Sequence, residues 1–387
     1  MKIGVLTLLE QLNYGGVLQA FALQEVLNEQ GYQAEVIRFW HSPGNVFLYG
    51  RLRQKGYNRL RRLLRLAYYS LKRNYMLSDD SRRRRTINFI ENTIKHSTRE
   101  YRSYEELTEL SRDYDTIIVG SDQVWNPNLE ESRYYLLDGI LENINKIAYA
   151  VSFGTTYFPE ECRRQYKRPL SKFKAISCRE CSGCEFVNSL LGNDASLWVV
   201  DPVLLLAKEK WWSMARYSGK AENYTLCYWL GDLTDLSNIL NSLPDTQRVY
   251  VCLNGMEQDE LISGHLTQQI DELKLSERAK LCLGGGPLDF IRLMAHADSI
   301  ISDSFHAMIF SYIFEKKVSI YLASCGIRKA MRGRMIEFAN RCKMQDCISA
   351  DISLNEPVCL PDYTRCAKFV EDWRRDSLEW LRKALDN

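Results

Sequence analysis

The stretch from Ala297 to Ile309 contains the residues of this chain that are best suited to chemistry. A short apolar strand, Ser299 to Ile301, stops at the polar triplet Ser302-Asp303-Ser304, and apolar residues at helical spacing follow. In α/β proteins such a strand, turn and helix form ligand sites, because free N–H groups at the helix start attract anions. His306 lies at this junction, and histidine suits acid–base catalysis near neutral pH. The structural alternative is that Asp303 or Ser304 caps the helix and His306 packs against a neighbour.

A second polar turn, Asn13-Tyr14-Gly15-Gly16, follows the first apolar strand, Lys2 to Leu8. A helix over Val17 to Leu27 and a strand over Ala34 to Trp40 come next, which indicates a βαβ unit. Two adjacent glycines at a strand end allow a ligand to approach the backbone closely. The turn does not match the dinucleotide fingerprint, and a tight turn without a ligand explains the glycines equally well.

Two further polar turns follow predicted strands in the same way. The strand Thr116 to Val119 ends in Gly120-Ser121-Asp122-Gln123, and the strand Ala175 to Ser177 ends in Cys178-Arg179-Glu180. Because the carboxyl ends of parallel strands open on one crevice, we expect these polar side chains to face the same site. For Asp122 a helix cap is the alternative role.

Cys178, Cys181 and Cys184 have the spacing C-x2-C-x2-C, which raises the question of an iron–sulfur or zinc site. A bacterial ferredoxin run needs a further cysteine where Asn188 stands, and zinc needs a fourth ligand from elsewhere. We therefore predict no metal at these thiols.

The alternation of strands and helices predicts an α/β protein with mostly parallel sheets. A chain of 387 residues, 45% of them hydrophobic, is long enough for two domains. We predict a first domain over residues 1–206, a second over 207–365, and a C-terminal helix over 366–387 that packs back on the first. The scattered cysteines, with no secretory signal and no apolar run of membrane length, predict a cytoplasmic protein with reduced thiols.

The segment 51–102 has sixteen Lys or Arg residues against four Asp or Glu residues, although the whole chain has a net charge of only +2. Leucines at helical spacing from Leu60 to Leu71 predict a basic amphipathic helical insert. Such a helix either lies on an anionic membrane surface or docks on the protein with its charged face in water. No zinc-finger or RNA-binding motif accompanies the charge, so we expect no nucleic-acid partner.

Taken together, these motifs resemble the polysaccharide pyruvyl transferase family, and their order and spacing match over nearly the whole chain. The matching features are Asn13-Tyr14-Gly15-Gly16-Val17-Leu18-Gln19-Ala20, Gly120-Ser121-Asp122-Gln123-Val124-Trp125-Asn126-Pro127, Tyr149-Ala150-Val151-Ser152-Phe153-Gly154, Arg179-Glu180, Asp201-Pro202 and Ser302-Asp303-Ser304-Phe305-His306-Ala307.

The resemblance implies a GT-B-like fold, in which two Rossmann-type domains face a cleft. It also implies transfer of the carbon skeleton of phosphoenolpyruvate onto two hydroxyls of a sugar as a ketal, with release of phosphate. Phosphoenolpyruvate is then a co-substrate, and no separate cofactor is expected. The acceptor is a glycan or a lipid-linked oligosaccharide of cell-surface polysaccharide synthesis, which the protein meets at the inner membrane face.

The resemblance assigns the site residue by residue. His306 is the catalytic candidate. The donor-binding candidates are Arg179, Asn13, Gly15, Gly16, Ser304 and Arg334, and the acceptor-binding candidates are Asp122 and Gln123. Ser304 stands where many family members have an arginine. Either Arg328, Arg332 or Arg334 supplies the missing cation, or the donor differs.

Two other functions are consistent with the sequence. A GT-B-type glycosyltransferase would use the same cleft for a nucleotide sugar. A non-enzymatic protein would use the basic segment 51–102 to bind an anionic polymer or membrane.

Overall fold

Two parallel β-sheets, one in each half of the chain, form the framework of the fold. The computed structural model describes residues 1–9, 13–39, 82–101, 103–129, 132–138, 144–216, 222–231, 233–244, 246–253, 279–282, 285–323, 329, 331–349 and 358–386. All pairings between the named strands of this part of the chain are parallel. The predicted class, α/β with mostly parallel sheets, is therefore confirmed.

The first sheet has seven strands in the order β3-β2-β1-β4-β5-β6-β7. They are β1 (Lys2–Leu6), β2 (Gln33–Phe39), β3 (His96–Tyr101), β4 (Thr116–Val119), β5 (Asn145–Val151), β6 (Ala175–Cys178) and β7 (Ser196–Trp198). The helices of this half and of the connection to the next are α1 (Tyr14–Glu29), α2 (Arg82–Thr93), α3 (Leu110–Asp113), α4 (Ser132–Tyr135), α5 (Glu160–Leu170), α6 (Cys181–Leu191), α7 (Pro202–Leu205) and α8 (Lys208–Met214). Central strands β1 and β4 are almost wholly apolar and buried, as expected when helices cover both faces of a parallel sheet.

The second sheet has six strands in the order β10-β9-β8-β11-β12-β13. They are β8 (Thr225–Trp229), β9 (Val249–Leu253), β10 (Ala279–Leu281), β11 (Ser299–Ser302), β12 (Lys317–Tyr321) and β13 (Ile348–Ser349). The accompanying helices are α9 (Leu233–Ser242), α10 (Pro287–His296), α11 (Phe305–Phe314), α12 (Arg332–Cys342) and α13 (Tyr363–Asp386). Short 3-10 turns cover Glu106–Glu109 and Gln345–Cys347.

The structure differs from the sequence-based elements in three places. Residues 14–16, predicted as a loop, form the first turn of α1. Strand β3 lies within the segment predicted as a helical insert. It was not predicted because this edge strand is mostly polar and lies among basic residues. The two-residue strand β13 was not predicted either. The predicted amphipathic helix from Leu60 to Leu71 lies outside the described residues.

Both sheets have a topological switch point, which is the place where the strand order reverses. In the first sheet it lies between β1 and β4, and in the second between β8 and β11. Open parallel sheets bind ligands in the crevice beyond the carboxyl ends of the strands at such points. The turns singled out from the sequence, at residues 13–16, 120–123 and 302–306, follow β1, β4 and β11.

Helix α13 begins in the second half of the chain and packs along the first. Near its start, the Tyr363 hydroxyl donates to the carbonyl oxygen of Lys316. Further along, the Trp373 indole donates to the carbonyl of Trp198 (2.9 Å), and the Arg374 guanidinium donates to the carbonyl of Leu205 (2.9 Å). The helix thus spans both halves and covers the first near the end of β7.

No helix in the described part of the chain is both long and apolar enough to cross a membrane.

An aromatic contact joins the two halves directly beside the first switch point. The Tyr14 ring, in the first turn of α1, stacks on Phe290 of α10 with ring centroids 5.2 Å apart. Its hydroxyl donates to the carbonyl oxygen of Gly285 (2.5 Å), and the Arg82 guanidinium covers the ring at 4.6 Å. Arg85 of the same helix forms an ion pair with Asp289 of the other half (3.1 Å).

This contact predicts how two substitutions at Tyr14 differ. Tyr14→Phe removes only the hydrogen bond to Gly285 and should lower the free energy of unfolding by about 1 kcal/mol. Tyr14→Ala also removes the stacked ring and should cost about 4 kcal/mol. Urea unfolding followed by fluorescence measures both values. Equal losses for the two variants would show that the ring contact does not hold the halves together.

Candidate active site

The two switch points face each other, and His306 is the residue that bridges them. It lies in the first turn of α11 in the second half, yet its imidazole contacts the first half on two sides. A Cβ atom added to Gly15 of α1 would lie 2.0 Å from His306 Nδ1. On the other side, His306 Nε2 is 3.6 Å from Asp201 Oδ2. The imidazole is 10% exposed, so it is wedged between the halves at the base of the cleft.

Asp201 follows β7 and begins helix α7. Its Oδ1 accepts a hydrogen bond from the backbone N–H of Val203 (2.9 Å), which is a helix cap. Its Oδ2 accepts from Arg179 Nη1 (3.0 Å) and faces His306. Burial would raise the pKa of Asp201, but the contact with His306 and the charges of His306 and Arg179 outweigh it and lower the pKa to about 2.

Arg179, the first donor-binding candidate, lies at the end of β6 with its side chain 1% exposed. Three carboxylates surround its guanidinium: Asp201, Glu180 (Nε to Oε1, 3.3 Å) and Asp122 (Nη2 to Oδ1, 3.7 Å). Burial disfavours the charged guanidinium, but these carboxylates prevail and raise the pKa of Arg179. Its charge is thus balanced within the protein, and its role in donor binding remains a prediction.

Phe305 brings a second arginine to the same place. Its ring lies 4.9 Å from the Arg179 guanidinium and 5.5 Å from that of Arg334, on α12 of the second half. Arg334 is partly exposed, unlike Arg179. Arg332, another candidate from the sequence, donates to the backbone carbonyls of Ala323 and Leu322 instead. Arg328 lies outside the described residues.

Several predicted donor-binding residues also have local structural roles. Asn13 caps α1, with its Oδ1 accepting from the N–H of Gly15 (2.9 Å). Ser304 caps α11, with its side chain accepting from the N–H of Ala307. A Cβ on Gly16 would lie 2.8 Å from Asp122 Oδ2. The capping alternative raised for Ser304 therefore holds, and the glycines allow His306 and Asp122 to approach α1.

The predicted acceptor-binding residues lie on the turn after β4. Asp122 has a left-handed backbone with φ of +70°, which is uncommon for a residue other than glycine and a frequent sign of a functional site. Its Oδ1 accepts from the N–H of Gln123 (2.9 Å), so it shapes the turn and does not cap a helix. The Gln123 amide accepts from Asn126 and contacts Met331, close to α12 of the other half.

Two carboxylates, those of Asp201 and Glu337, join the contacts between the two halves although no motif singled them out. Asp201 appeared only as part of a matching motif, although its position after a strand and before a proline was a usable signal. Glu337 of α12 accepts a hydrogen bond from the backbone N–H of Cys181 at the start of α6 (2.7 Å). Burial raises the pKa of Glu337. Nothing in the helical pattern around Glu337 pointed to this contact between the halves.

The cysteine cluster borders the site at the start of α6. Cys178 and Cys184 are buried, and burial raises the pKa of the Cys178 thiol well above its ordinary value. The neighbouring Cys184 thiol has the opposite shift, because its hydrogen bond with Cys178 lowers its pKa. In the described ranges, no group of three or more His, Cys, Asp or Glu side chains is arranged to hold a metal ion.

The low pKa of Asp201 has a definite effect on stability. A carboxyl group with a folded-state pKa of about 2, against an ordinary 3.8, stabilises the fold fully above pH 4 and loses that contribution as the pH falls through 2. We expect wild type to lose about 2 kcal/mol more than Asp201→Asn over this window. Urea unfolding at a series of pH values measures the difference, and parallel curves for the two proteins would contradict it.

The fold and the facing switch points define a two-domain GT-B scaffold, and comparison with solved structures agrees. UDP-GlcNAc 2-epimerase from Neisseria meningitidis, bound to UDP-GlcNAc, is similar with a TM-score of 0.50 at 11% identity, over 100% of this chain and 99% of that chain. The S. aureus MnaA–UDP structure gives 0.52 at 10% identity, over 98% and 90%. HepE from Anabaena, in complex with UDP and glucose, gives 0.52 at 13% identity, over 99% and 100%. At such identities the likeness establishes the fold alone.

The sequence identifies the family. The model of the family described as polysaccharide pyruvyl transferase matches residues 13–321, which is most of the chain. The protein belongs to the polysaccharide pyruvyl transferase family, as the motifs predicted. A search of curated proteins gave no match.

Proposed function

We propose that this protein transfers pyruvate from phosphoenolpyruvate onto a sugar of a cell-surface polysaccharide or its precursor, as a ketal. Family membership supports the reaction class. The observation that carries the proposal is the meeting of His306 with two arginines at the facing switch points, where Phe305 lies against both guanidiniums. The cleft thus combines an acid–base group with Arg334, a partly exposed cation of the kind that a phosphorylated carboxylic acid requires.

The reaction needs two proton transfers. The first sugar hydroxyl adds to C2 of the enol phosphate while C3 gains a proton and becomes a methyl group. The C2–O bond to phosphate then breaks, and the second hydroxyl adds to C2 as phosphate leaves. One hydroxyl proton is balanced by the new methyl group and the other by the released phosphate. His306, the imidazole in the cleft, is the group we assign to proton transfer.

The charges around Arg179 and Arg334 give the two arginines different roles. Asp122, Glu180 and Asp201 surround Arg179, so this buried cluster has more negative than positive charge. An anionic donor is repelled by it unless a further cation intervenes, since like charges a few ångströms apart cost several kcal/mol near a protein surface. We propose that Arg334 supplies that cation and thereby replaces the family arginine at the Ser304 position. Arg179 then orders the carboxylates beneath the donor.

The proposal is tested by incubating purified protein with phosphoenolpyruvate and a panel of glycans and measuring released phosphate and ketal by mass spectrometry. We expect His306→Ala to lose activity by on the order of 1000-fold. Arg334→Ala should raise KM for phosphoenolpyruvate by about 10-fold or more, which corresponds to the loss of one charge-assisted contact. The charge-matched control is Lys172→Ala on an exposed turn, which should behave as wild type.

The competing function is nucleotide-sugar transfer, and one experiment separates the two. Phosphoenolpyruvate should raise Tm in a thermal-shift assay while nucleoside diphosphates do not, because only a ligand of the folded state stabilises it. Stabilisation by UDP and not by phosphoenolpyruvate, together with no phosphate release on any glycan, would refute the pyruvyl transfer proposal.

We further propose that the acceptor is lipid-linked and that the protein meets it at the inner membrane face through the basic residues of 51–81. Arg82 contacts the Tyr14 ring, and Arg85 contacts Asp289 of the other half of the protein. We therefore assign membrane binding to the basic residues that precede them, within 51–81. Co-sedimentation should be stronger with phosphatidylserine vesicles than with neutral ones, and should weaken with salt.

The test of the membrane contact uses a charge-matched pair of variants. The first replaces Arg59, Arg61, Arg62 and Arg65 by Gln. The control replaces Arg163, Arg164, Lys167 and Arg168 of α5 by Gln. Loss of vesicle binding in the first alone supports the proposal, and unchanged binding in the first refutes it.

A further inference from the structure

Asp201 gives the cleft a fixed negative charge on one side of the imidazole. Both carboxylate oxygens have firm partners, since Oδ1 accepts from Val203 N–H (2.9 Å) and Oδ2 from Arg179 Nη1 (3.0 Å). The Ser121 hydroxyl is 3.5 Å from the same Oδ2. These contacts come from the ends of β4, β6 and β7, so the carboxylate cannot rotate away without breaking several of them. Its distance of 3.6 Å from His306 Nε2 is therefore set by the sheet.

This charge distinguishes the two ring nitrogens of His306. The neutral imidazole has one N–H donor and one acceptor nitrogen, and the partner of each nitrogen decides which one holds the proton. Nε2 is buried and has no other hydrogen-bond partner, so a proton there faces Asp201. A lone pair at Nε2 would instead face a carboxylate oxygen, which is repulsive. The proton therefore belongs on Nε2.

On its Nδ1 side, the imidazole packs against a position that has no side chain. Nδ1 lies against Gly15 in the first turn of α1, where a single added Cβ would come within 2.0 Å. The backbone there is helical, so glycine is not needed for its conformation and costs about 1 kcal/mol relative to alanine. The close approach of His306 accounts for the glycine. Gly15 therefore packs on the imidazole face beside Nδ1. With the proton on Nε2, the basic lone pair of the ring is on Nδ1.

We propose that Asp201 is a positioning residue that holds the His306 proton on Nε2, so that Nδ1 is the nitrogen that exchanges protons with the substrate. This inference rests on the proposed function for its catalytic part, whereas the position of the proton is independent of the reaction.

The tautomer is tested by NMR on protein labelled with ¹⁵N-histidine. Long-range ¹H–¹⁵N correlation spectra distinguish Nε2–H from Nδ1–H rings, and the His306→Asn variant identifies the His306 signal among the five histidines. At a pH where the ring is neutral we expect the Nε2–H form in wild type and a loss of this preference in Asp201→Asn. A dominant Nδ1–H form in wild type overturns the inference, whether or not the protein uses phosphoenolpyruvate.

Kinetics test the positioning role. Asp201→Asn keeps the side-chain size and the capping oxygen, and should lower kcat by on the order of 100-fold, as a misplaced catalytic group does, with KM for phosphoenolpyruvate within about 2-fold. The matched control is Asp298→Asn, at an exposed position, with unchanged kcat. An unchanged kcat in Asp201→Asn, or a rise in KM alone, contradicts the role.

A second pair of variants tests the Nδ1 side. Gly15→Ala should abolish activity while the far end of the same helix tolerates Glu29→Ala. Full activity in Gly15→Ala would show that the His306 imidazole does not need to pack against Gly15.

Discussion

The buried guanidinium of Arg179 is the interaction on which the cleft depends. A charge with a side chain 1% exposed is tolerated only when opposite charges compensate the lost hydration. Here the compensation comes from Asp122, Glu180 and Asp201, which follow different strands of the first sheet. Arg179 therefore ties together the ends of β4, β6 and β7. Removing it would leave three buried carboxylates facing each other, so the arrangement of the cleft and the stability of the sheet are linked.

The second constraint is the close packing at two glycines of α1, Gly15 and Gly16. His306 reaches across from α11 because Gly15 has no side chain, and Asp122 approaches α1 because Gly16 has none. The ring of Tyr14, between these glycines and the other half, packs on Phe290. A single turn of α1 thus combines two open positions with one large anchor. The first turn of α1 can therefore lie directly against the other half, so that residues of both halves form one site.

The sequence predicted the fold well because buried parallel strands are read from continuous apolar runs. Strand β4 agrees with its predicted bounds, and the turns at residues 13–16, 120–123 and 302–306 lie at the cleft. Strand β3 was missed because a polar edge strand has no such run. The motifs also identified the family.

The partners of the site residues could not be predicted in the same way. Nothing in the spacing shows that Arg179 is neutralised by three carboxylates, or that Asp201 lies between Arg179 and His306, since these contacts join residues far apart in the chain. Glu337 is a similar case, because a helix from one half caps a helix of the other. Long-range pairing of charges depends on the final packing and leaves no local pattern.

Helix α13 has a consequence for motion between the halves. The chain crosses from the first half to the second after α7, and it crosses back along α13, whose Arg374 binds the carbonyl of Leu205 at the end of α7. The two covalent crossings therefore lie side by side. Bodies joined along one edge can rotate about that edge but cannot slide or twist freely. We therefore expect this cleft to open by rotation about a single hinge. His306 would move away from Gly15 on opening and return to the same contact on closure.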